Sequence, residues 1–590
     1  MWYFGINSPF ASAVVTTYLR IKNKKLHKKI VERSKNNYLI NDISSAYEYL
    51  LNLVRSNPEL KQQVAMIQGK TITYGEMMQE INHLSKVLHS IFQCRKGENI
   101  SICAASSIEG IVAFFAMNKL GLVNARIFNG SKDKKLLFNL LDFSSRVILT
   151  DRNNLATLSR VVEESEIEIV LVMDEVSEEE LCRFKSAHKG ISIYTWQEAM
   201  EMGGNIKEEY SEKVGGEDMA SILYTSGSSG EPKPISILNR SYANMVDIVC
   251  GTTDIKKCDG ERVVGVVSHE YPYAAINCTI MILLMGKTLI MPKTSNDGVL
   301  DFEKLMSHQP NRIQAIPNFY KLMEEVFKNK NDTFSFLNTV VSGGETYLLP
   351  EKKKLISFLG QHNCKAMLID GFGFGELGSA TALKFGSNPY FLLMNGIEAK
   401  AVDPNSGEEL GLDQEGVLCI TGPTIAQGYF HNEESTKKSF VMDEHGKIWF
   451  HSDTYGLVHG KDRRRIKLGG RVREYFITDD GQGNFVKVYA GNVEDVILKL
   501  DFVKDCIVVP FDESAAPRPM AFVSVKTENE MDEKEMRLQL QQACETLENF
   551  ARPVNFVFES DIKRTNAMKK DYAHYKRIAI EEYSNLCQEK

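Results

Sequence analysis

Four things are missing from this 590-residue chain, and each absence removes a class of protein. No period of about 20–50 residues repeats, which excludes solenoids and propellers. The 11 cysteines are odd in number and scattered from Cys94 to Cys587, with no C-x-x-C pair and no clustered histidines. That pattern excludes a zinc ribbon or disulfide scaffold and points to a reducing, cytoplasmic setting. Positive charge has no excess: 70 Lys and Arg against 77 Asp and Glu leave a net −7, which provides no field to hold nucleic acid. Finally, the apolar N-terminal stretch is interrupted by Asn7 and Pro9 and has no basic segment before it, so it reads as neither a signal nor a transmembrane segment.

What is present is ordinary for a globular protein, with 43% hydrophobic and 25% charged residues. The length predicts at least two domains. Residues Arg20 to Lys35 carry eight basic side chains and one Glu. They read as a solvated charged helix, with a membrane surface or an acidic partner as the alternative.

From Ala46 helix-like and strand-like segments alternate. Met77, Ile81, Leu84, Leu88 and Ile91 recur at helical spacing within Tyr74 to Phe92, and Asn99 to Ala104 reads as a buried strand. Further strands are expected at 146–150, 168–173, 262–267 and 365–370, which predicts an α/β fold of parallel-rich sheets covered by helices. Near Lys461 the composition changes to a basic run. A hairpin around Asp479 to Gly483 and a strand and helix pattern follow. The expected organisation is an extension over 1–43, a large domain over 44–460 and a smaller, mobile α+β domain over 461–590.

The most informative string is Tyr224-Thr-Ser-Gly-Ser-Ser-Gly-Glu-Pro-Lys233. Its glycines let backbone N–H groups converge, its hydroxyls donate to oxyanions and Lys233 adds charge, so it reads as a phosphate-gripping loop. Glu231 and Pro232 follow Gly230 where a Walker loop needs Lys and Ser or Thr, which removes the P-loop NTPases. Gly373, Gly375 and Gly378 satisfy G-x-G-x-x-G, with Glu398 about twenty residues on. An NAD-dependent oxidoreductase would rest on that fingerprint alone.

With its phosphate loop the chain resembles the adenylate-forming superfamily, which contains acyl- and aryl-CoA synthetases, peptide-synthetase adenylation domains and beetle luciferase. Other motifs follow in family order over about Ala46 to Lys570. The resemblance implies that Thr225, Ser226, Gly227, Ser228, Ser229, Gly230 and Lys233 hold phosphates. Gly343, Gly344 and Glu345 of Val341-Ser-Gly-Gly-Glu-Thr346 would flank adenine. In Asp370-Gly-Phe-Gly-Phe-Gly-Glu376, Asp370 would accept from the adenine amino group, Phe372 would pack on the base between Gly371 and Gly373, and Glu376 would hold Mg²⁺. Gly375 stands where the family has a Thr. Asp453 of Trp449-Phe-His-Ser-Asp453 would bind the ribose hydroxyls. Lys461 and Lys467 belong to a hinge-like motif in which Lys461 replaces an Arg and Arg463 an Asp, and both lysines are expected near the nucleotide. In Arg564-Thr-Asn-Ala-Met-Lys569, Lys569 matches the catalytic lysine, with Lys570 as its rival.

Val267-Ser-His-Glu-Tyr-Pro-Tyr-Ala274 resembles the start of the acyl pocket, with His269 where CoA synthetases have His. Glu270 falls where amino-acid-activating members pair the substrate ammonium. A carboxylate facing an apolar pocket is costly unless a cation meets it, so Glu270 favours an amine-bearing acid. Tyr271 and Phe319 are further pocket candidates. The implied function is ATP- and Mg²⁺-dependent activation of a small carboxylic acid as its adenylate, then transfer to a thiol. No carrier module follows Lys569 in these residues, so the acceptor is expected to be separate: coenzyme A, or the phosphopantetheine of an acyl or peptidyl carrier protein. A non-catalytic nucleotide- or partner-binding descendant is the alternative, suggested by the departures at Gly375, Lys461, Arg463 and Met568.

Overall fold

Thr73 starts the first long helix by a reciprocal cap. Its hydroxyl oxygen accepts the Glu76 backbone N–H, and the Glu76 carboxylate accepts the Thr73 N–H at 2.8 Å. The helix Tyr74–Lys86 then buries Met77, Ile81 and Leu84, as their spacing requires. Leu88 is buried too, but Ile91 is 42% exposed and Phe92 takes the inward place. Val87–Ile91 is a π-helical segment in which the Phe92 N–H reaches back five residues to the Val87 carbonyl, so the wider turn rotates Ile91 away from the core.

These elements belong to a computed structural model. It describes residues 45–225, 232–253, 255–265, 271–292, 300–345, 347, 349–386, 388–404, 406–471, 475–479, 485–511, 517–526, 531–564 and 570–588. The N-terminal extension, Ser226 to Gly230, His269, Glu270 and Lys569 lie outside the described residues.

Two large sheets organise the described residues up to Arg471. In one, Met219–Tyr224, Val123–Ile127, Asn99–Cys103, Val147–Thr150, Ile169–Val172 and Ser192–Thr195 run parallel in that order. Pro234–Leu238 and Gly428–Tyr429 complete its edge antiparallel. Helices between the strands supply the crossovers that parallel pairing demands. In the second sheet Met367–Phe374, Thr339–Ser342, Arg312–Ala315, Arg262–Gly265, Thr288–Ile290 and Val64–Gln68 also run parallel.

Beyond Phe374 the second sheet turns antiparallel. Gly375–Leu377 forms a single 3₁₀ turn, and Gly378 at φ +66° sends Ser379–Phe385 straight back along Met367–Phe374. No helix starts there, so the G-x-G-x-x-G string lacks the helix N-terminus that a dinucleotide fingerprint needs, and the oxidoreductase reading falls. The antiparallel half continues through Phe391–Leu393, Arg465–Arg471, Ile448–Val458, Gly416–Thr421 and Glu398–Val402. The boundary expected at Lys461 thus falls in the turn between two paired strands, and the large sheet's ladder runs on to Arg471.

The expected hairpin is present as Tyr475–Asp479 paired with Phe485–Tyr489. The small domain then builds a three-stranded sheet from Val503–Pro510, Pro519–Val525 and Phe556–Glu559. Alternation sends Cys506, Val508, Ala521 and Val523 to one face with Val493, Ile497 and Leu540. Ile507, Val509 and Phe522 face the other side, under Tyr575 and Ala579 of the helix Tyr572–Gln588.

Candidate functional site

The phosphate-loop segment is closed at its base, where the Thr225 N–H donates to the Lys233 carbonyl at 2.9 Å between the antiparallel strands Met219–Tyr224 and Pro234–Leu238. Lys233 Nζ lies 5.1 Å from the centre of the Tyr429 ring. The Tyr429 hydroxyl in turn donates to Glu376 Oε1 at 2.8 Å. Burial first, and then the neighbouring Glu376 charge, push the Tyr429 hydroxyl far above the ordinary phenol range, so it stays a donor. Glu376 sits buried in the Gly375–Leu377 turn, and a Cβ added at Gly375 would lie 3.2 Å from Thr225 Cγ2. The loop's first residue and the carboxylate therefore share one corner. Asp453 faces the same corner: its charge acts on Tyr429, and its Oδ2 is buried without a hydrogen-bond partner.

Tyr429 was not a sequence candidate. Its strand is only two residues long, and the local signal was a lone Gly-Tyr pair after the Gly416–Thr421 strand. Gly428, at φ +147°, holds a backbone conformation that no side chain favours and turns Tyr429 inward.

The base side is built at the C-terminal ends of the parallel strands, where α/β sheets place ligands. Thr339–Ser342 delivers Gly343 and Gly344 onto the Tyr273 ring: a Cβ on Gly343 would come within 2.9 Å of Tyr273 Cζ, and Gly344 adopts φ +81°. On the next strand Asp370 pairs in register with Ser342. Asp370 Oδ2 accepts from Lys352 Nζ at 2.5 Å, Lys384 Nζ stands 3.5 Å away, and Oδ1 is buried without a partner. Phe372 packs edge-on against Phe374 and tilted against Phe391, at 5.1 and 5.6 Å between ring centres. A Cβ on Gly373 would meet the Ser379 carbonyl at 1.8 Å, so only glycine fits there, whereas Gly371 has room.

The small domain meets this side through charges. The Lys570 N–H donates to Glu345 Oε1 at 3.0 Å, and Arg564 stands 3.7 Å from Glu345 Oε2 while pairing with Asp505 at 2.6 Å. Lys321 bridges Glu351 at 2.6 Å and Asp505 at 3.4 Å. Burial pushes the Asp505 carboxyl up, but Lys570, Lys321 and Arg564 outweigh it and hold the group far below the usual carboxylate range. The Lys570 ammonium is itself engaged, at 2.8 Å from Glu494 Oε2 and 2.6 Å from the Cys506 carbonyl. Lys570 is therefore tied to Glu345 through its N–H, with Arg564 beside the same carboxylate.

Other candidates lie elsewhere. Lys461 and Lys467 are exposed on the hairpin that ends in Arg465–Arg471, and the His459 N–H to Arg465 carbonyl bond at 2.9 Å closes its turn. Tyr271 is buried against Phe128, at 5.5 Å between ring centres, and Phe128 stacks on Tyr224 beside the phosphate loop. Phe319, 2% exposed, packs on Phe302 and Tyr320 at 5.0 and 5.6 Å, a core environment that accounts for its burial without a ligand. Among the described residues no group of three or more His, Cys, Asp or Glu is placed to hold a metal by itself. No described helix is long and apolar enough to cross a membrane.

Comparison with known proteins gives one consistent answer. The AMP-binding enzyme family profile matches residues 54–430, and the profile of the AMP-binding enzyme C-terminal domain matches residues 492–569. The chain is 24% identical over 489 residues to a 4-coumarate–CoA ligase-like protein of Arabidopsis thaliana, covering 79% of this chain and 81% of that one. It is 24% identical over 537 residues to an acetyl-coenzyme A synthetase of Emericella nidulans, covering 85% and 75%. Among solved structures an anthranilate CoA ligase in complex with anthranoyl-AMP superposes with TM-score 0.78 at 18% identity, over 92% of this chain and 99% of that one. A benzoate CoA ligase from Burkholderia xenovorans gives 0.71 at 18% identity, over 90% and 99%.

Proposed function

The chain belongs to the AMP-binding enzyme family, and from that premise we propose that it is an ATP-dependent acid–thiol ligase acting in two steps on one pocket. In the first, a carboxylate oxygen attacks the α-phosphorus of ATP, the bond to pyrophosphate breaks, and an acyl-adenylate forms. In the second, a thiol sulfur attacks the acyl carbon, AMP leaves with the bonding pair, and the thiol proton passes to solvent. Coenzyme A is the favoured acceptor, because the relatives are named for CoA ligation; no observation here favours a carrier protein.

The observation that carries the reading is the meeting of motifs from both domains at Glu345, beside Gly343 and Gly344, where the carboxylate takes the Lys570 N–H and stands 3.7 Å from Arg564. A protein that only bound nucleotide would not require a cation-bearing segment from a second domain at that point. Delivered there, Lys569 would stabilise the negative charge that gathers as the α-phosphate is attacked, while the docked domain excludes water. Lys233 would serve the phosphates from the other side. Glu376, held by Tyr429, fits Mg²⁺, which characteristically takes one or two protein carboxylates and leaves its other positions to phosphate and water; bound, the ion would neutralise phosphate charge. Asp453 Oδ2, buried and unpartnered, suits a ribose hydroxyl donor. Glu270 is proposed to face a substrate ammonium.

The test is carboxylate-dependent exchange of labelled pyrophosphate into ATP across fatty, aryl, amino and amino-aryl acids. Exchange with one class is the expected result. No exchange with any class, in a chain that binds ATP, would favour the binding-protein alternative. Glu270→Gln should weaken the preferred acid only if that acid carries an amine.

A further inference from the structure

The base side holds an ion pair that the two-step chemistry does not call for. Asp370 is 6% exposed and splits its two oxygens between different fates. Oδ2 takes the Lys352 ammonium at 2.5 Å, with Lys384 further off at 3.5 Å, while Oδ1 is buried with no hydrogen-bond partner. Ser342 Oγ, on the neighbouring strand and in register with Asp370, is likewise buried and unpartnered. Lys352 comes from the helix Leu349–Gln361, which packs over this end of the sheet.

We propose that Lys352 is a positioning residue that sets the base selectivity of the nucleotide site, by engaging one oxygen of Asp370 so that the other is presented to a 6-amino base. The inference rests on the proposed function, since it needs the nucleotide to dock at Gly343 and Phe372. A carboxylate oxygen only accepts, so it matches an amino group and repels a 6-oxo group. Leaving a buried oxygen unmet is costly, which makes a base without the donor a poor ligand. Lys384 is an inferior substitute for Lys352: burial first, and then the Lys352 charge, hold its ammonium below the ordinary lysine range, and it rests over the Phe391 ring at 4.6 Å. Without Lys352 a buried negative charge loses its main partner. The carboxylate then loses the contact that holds Oδ2 in place, so Oδ1 is no longer fixed toward a 6-amino donor and the bias against a 6-oxo base falls. A purely structural ion pair, tying helix to sheet, would instead weaken all nucleotides alike.

The experiment is calorimetric titration of the full chain with Mg·ATP and with Mg·ITP, whose base carries oxygen at position 6. The wild type should prefer ATP by on the order of 100-fold or more. Lys352→Met should cut that preference at least about tenfold, Lys352→Arg should keep it within about threefold, and Asp370→Asn combined with Lys352→Met should add little to either alone. An unchanged ATP-to-ITP ratio in Lys352→Met, whether both affinities hold or both fall together, overturns the inference. If Lys352→Met does not fold, the comparison of Lys352→Arg with Asp370→Asn carries the test, and equal ratios in those two overturn it. A wild type that binds neither nucleotide would overturn the functional reading instead, and this inference with it.

Discussion

The two sides of the site treat charge in opposite ways. On the base side and along the domain contact nearly every charge is matched inside the protein: Asp370 by Lys352, Glu345 by Arg564 and the Lys570 N–H, Asp505 by Arg564 and Lys321. On the phosphate side, among the described residues, Lys233 has an aromatic face and no ion pair, and Asp453 Oδ2 has no hydrogen-bond partner. A matched buried pair costs little until one partner is removed, and then it costs a great deal. An unmatched charge beside a phosphate loop stabilises nothing until an anion arrives, and its effect then falls on the reaction. Apart from the Asp370–Lys352 pair, the first side should therefore respond to mutation mainly through stability, the second mainly through rate.

The sharpest break of this contrast lies between two adjacent lysines. Lys569→Ala should lower pyrophosphate exchange by about 10²–10³-fold, the scale of removing one preorganised charge-stabilising donor, with a melting temperature close to wild type. Lys233→Met should lose about 10²-fold in the same assay, again with stability within about 0.5 kcal/mol. Lys570→Met should do the reverse. Burial opposes its charge, but Asp505 and Glu494 outweigh burial and hold the ammonium far above the ordinary lysine range. Its loss strands the Glu494 carboxylate and leaves Asp505 to Arg564 and Lys321, and should cost about 3–5 kcal/mol, read by denaturant unfolding of the small domain. If Lys570→Met kept full stability while abolishing exchange, the contrast would collapse and Lys570 would be the reactive lysine.

How much of this was readable beforehand follows from the same division. The phosphate loop, Asp370, Glu376 and Asp453 stand in short strings whose chemistry is local, so they can be found without a fold. Lys352 cannot: it lies in Glu-Lys-Lys-Lys354, a run that reads as a solvated helix face until the sheet places Asp370 beneath it. Tyr429 is hidden for a similar reason, because a two-residue strand has no periodicity. The α/β class and the parallel strands were legible from buried runs alternating with amphipathic helices. The antiparallel half was not, because a three-residue turn at Gly375–Leu377 replaced the crossover that the preceding parallel strands of that sheet had required. Ile91 shows the smallest form of this limit, where one π-helical segment defeats a correct period.

The smallest expected effect sharpens the comparison at its edge, on the matched side. Glu324, on the helix Pro317–Phe327 that carries Lys321, is the exception there: burial pushes its carboxyl up to about 8, and Lys354 and Lys321 only partly offset burial, while Glu351 and Glu325 add to it. A carboxyl raised in the folded state holds a proton that the unfolded chain has already released. The unfolded chain thus binds fewer protons, and stability declines as pH rises from about 4.5 to about 8, then levels off. Glu324→Gln removes that titration. Its unfolding free energy should match wild type near pH 4.5 and exceed it increasingly up to about pH 8, by roughly 1–2 kcal/mol once solvent screening at this partly exposed helix is allowed for. Pyrophosphate exchange should stay unchanged in the same variant, since Glu324 touches neither the loop nor Asp370. A variant whose advantage is the same at pH 6 and pH 9 would mean that Glu324 is as well matched as its neighbours, and that the domain contact contains no unmet charge to set against the phosphate side.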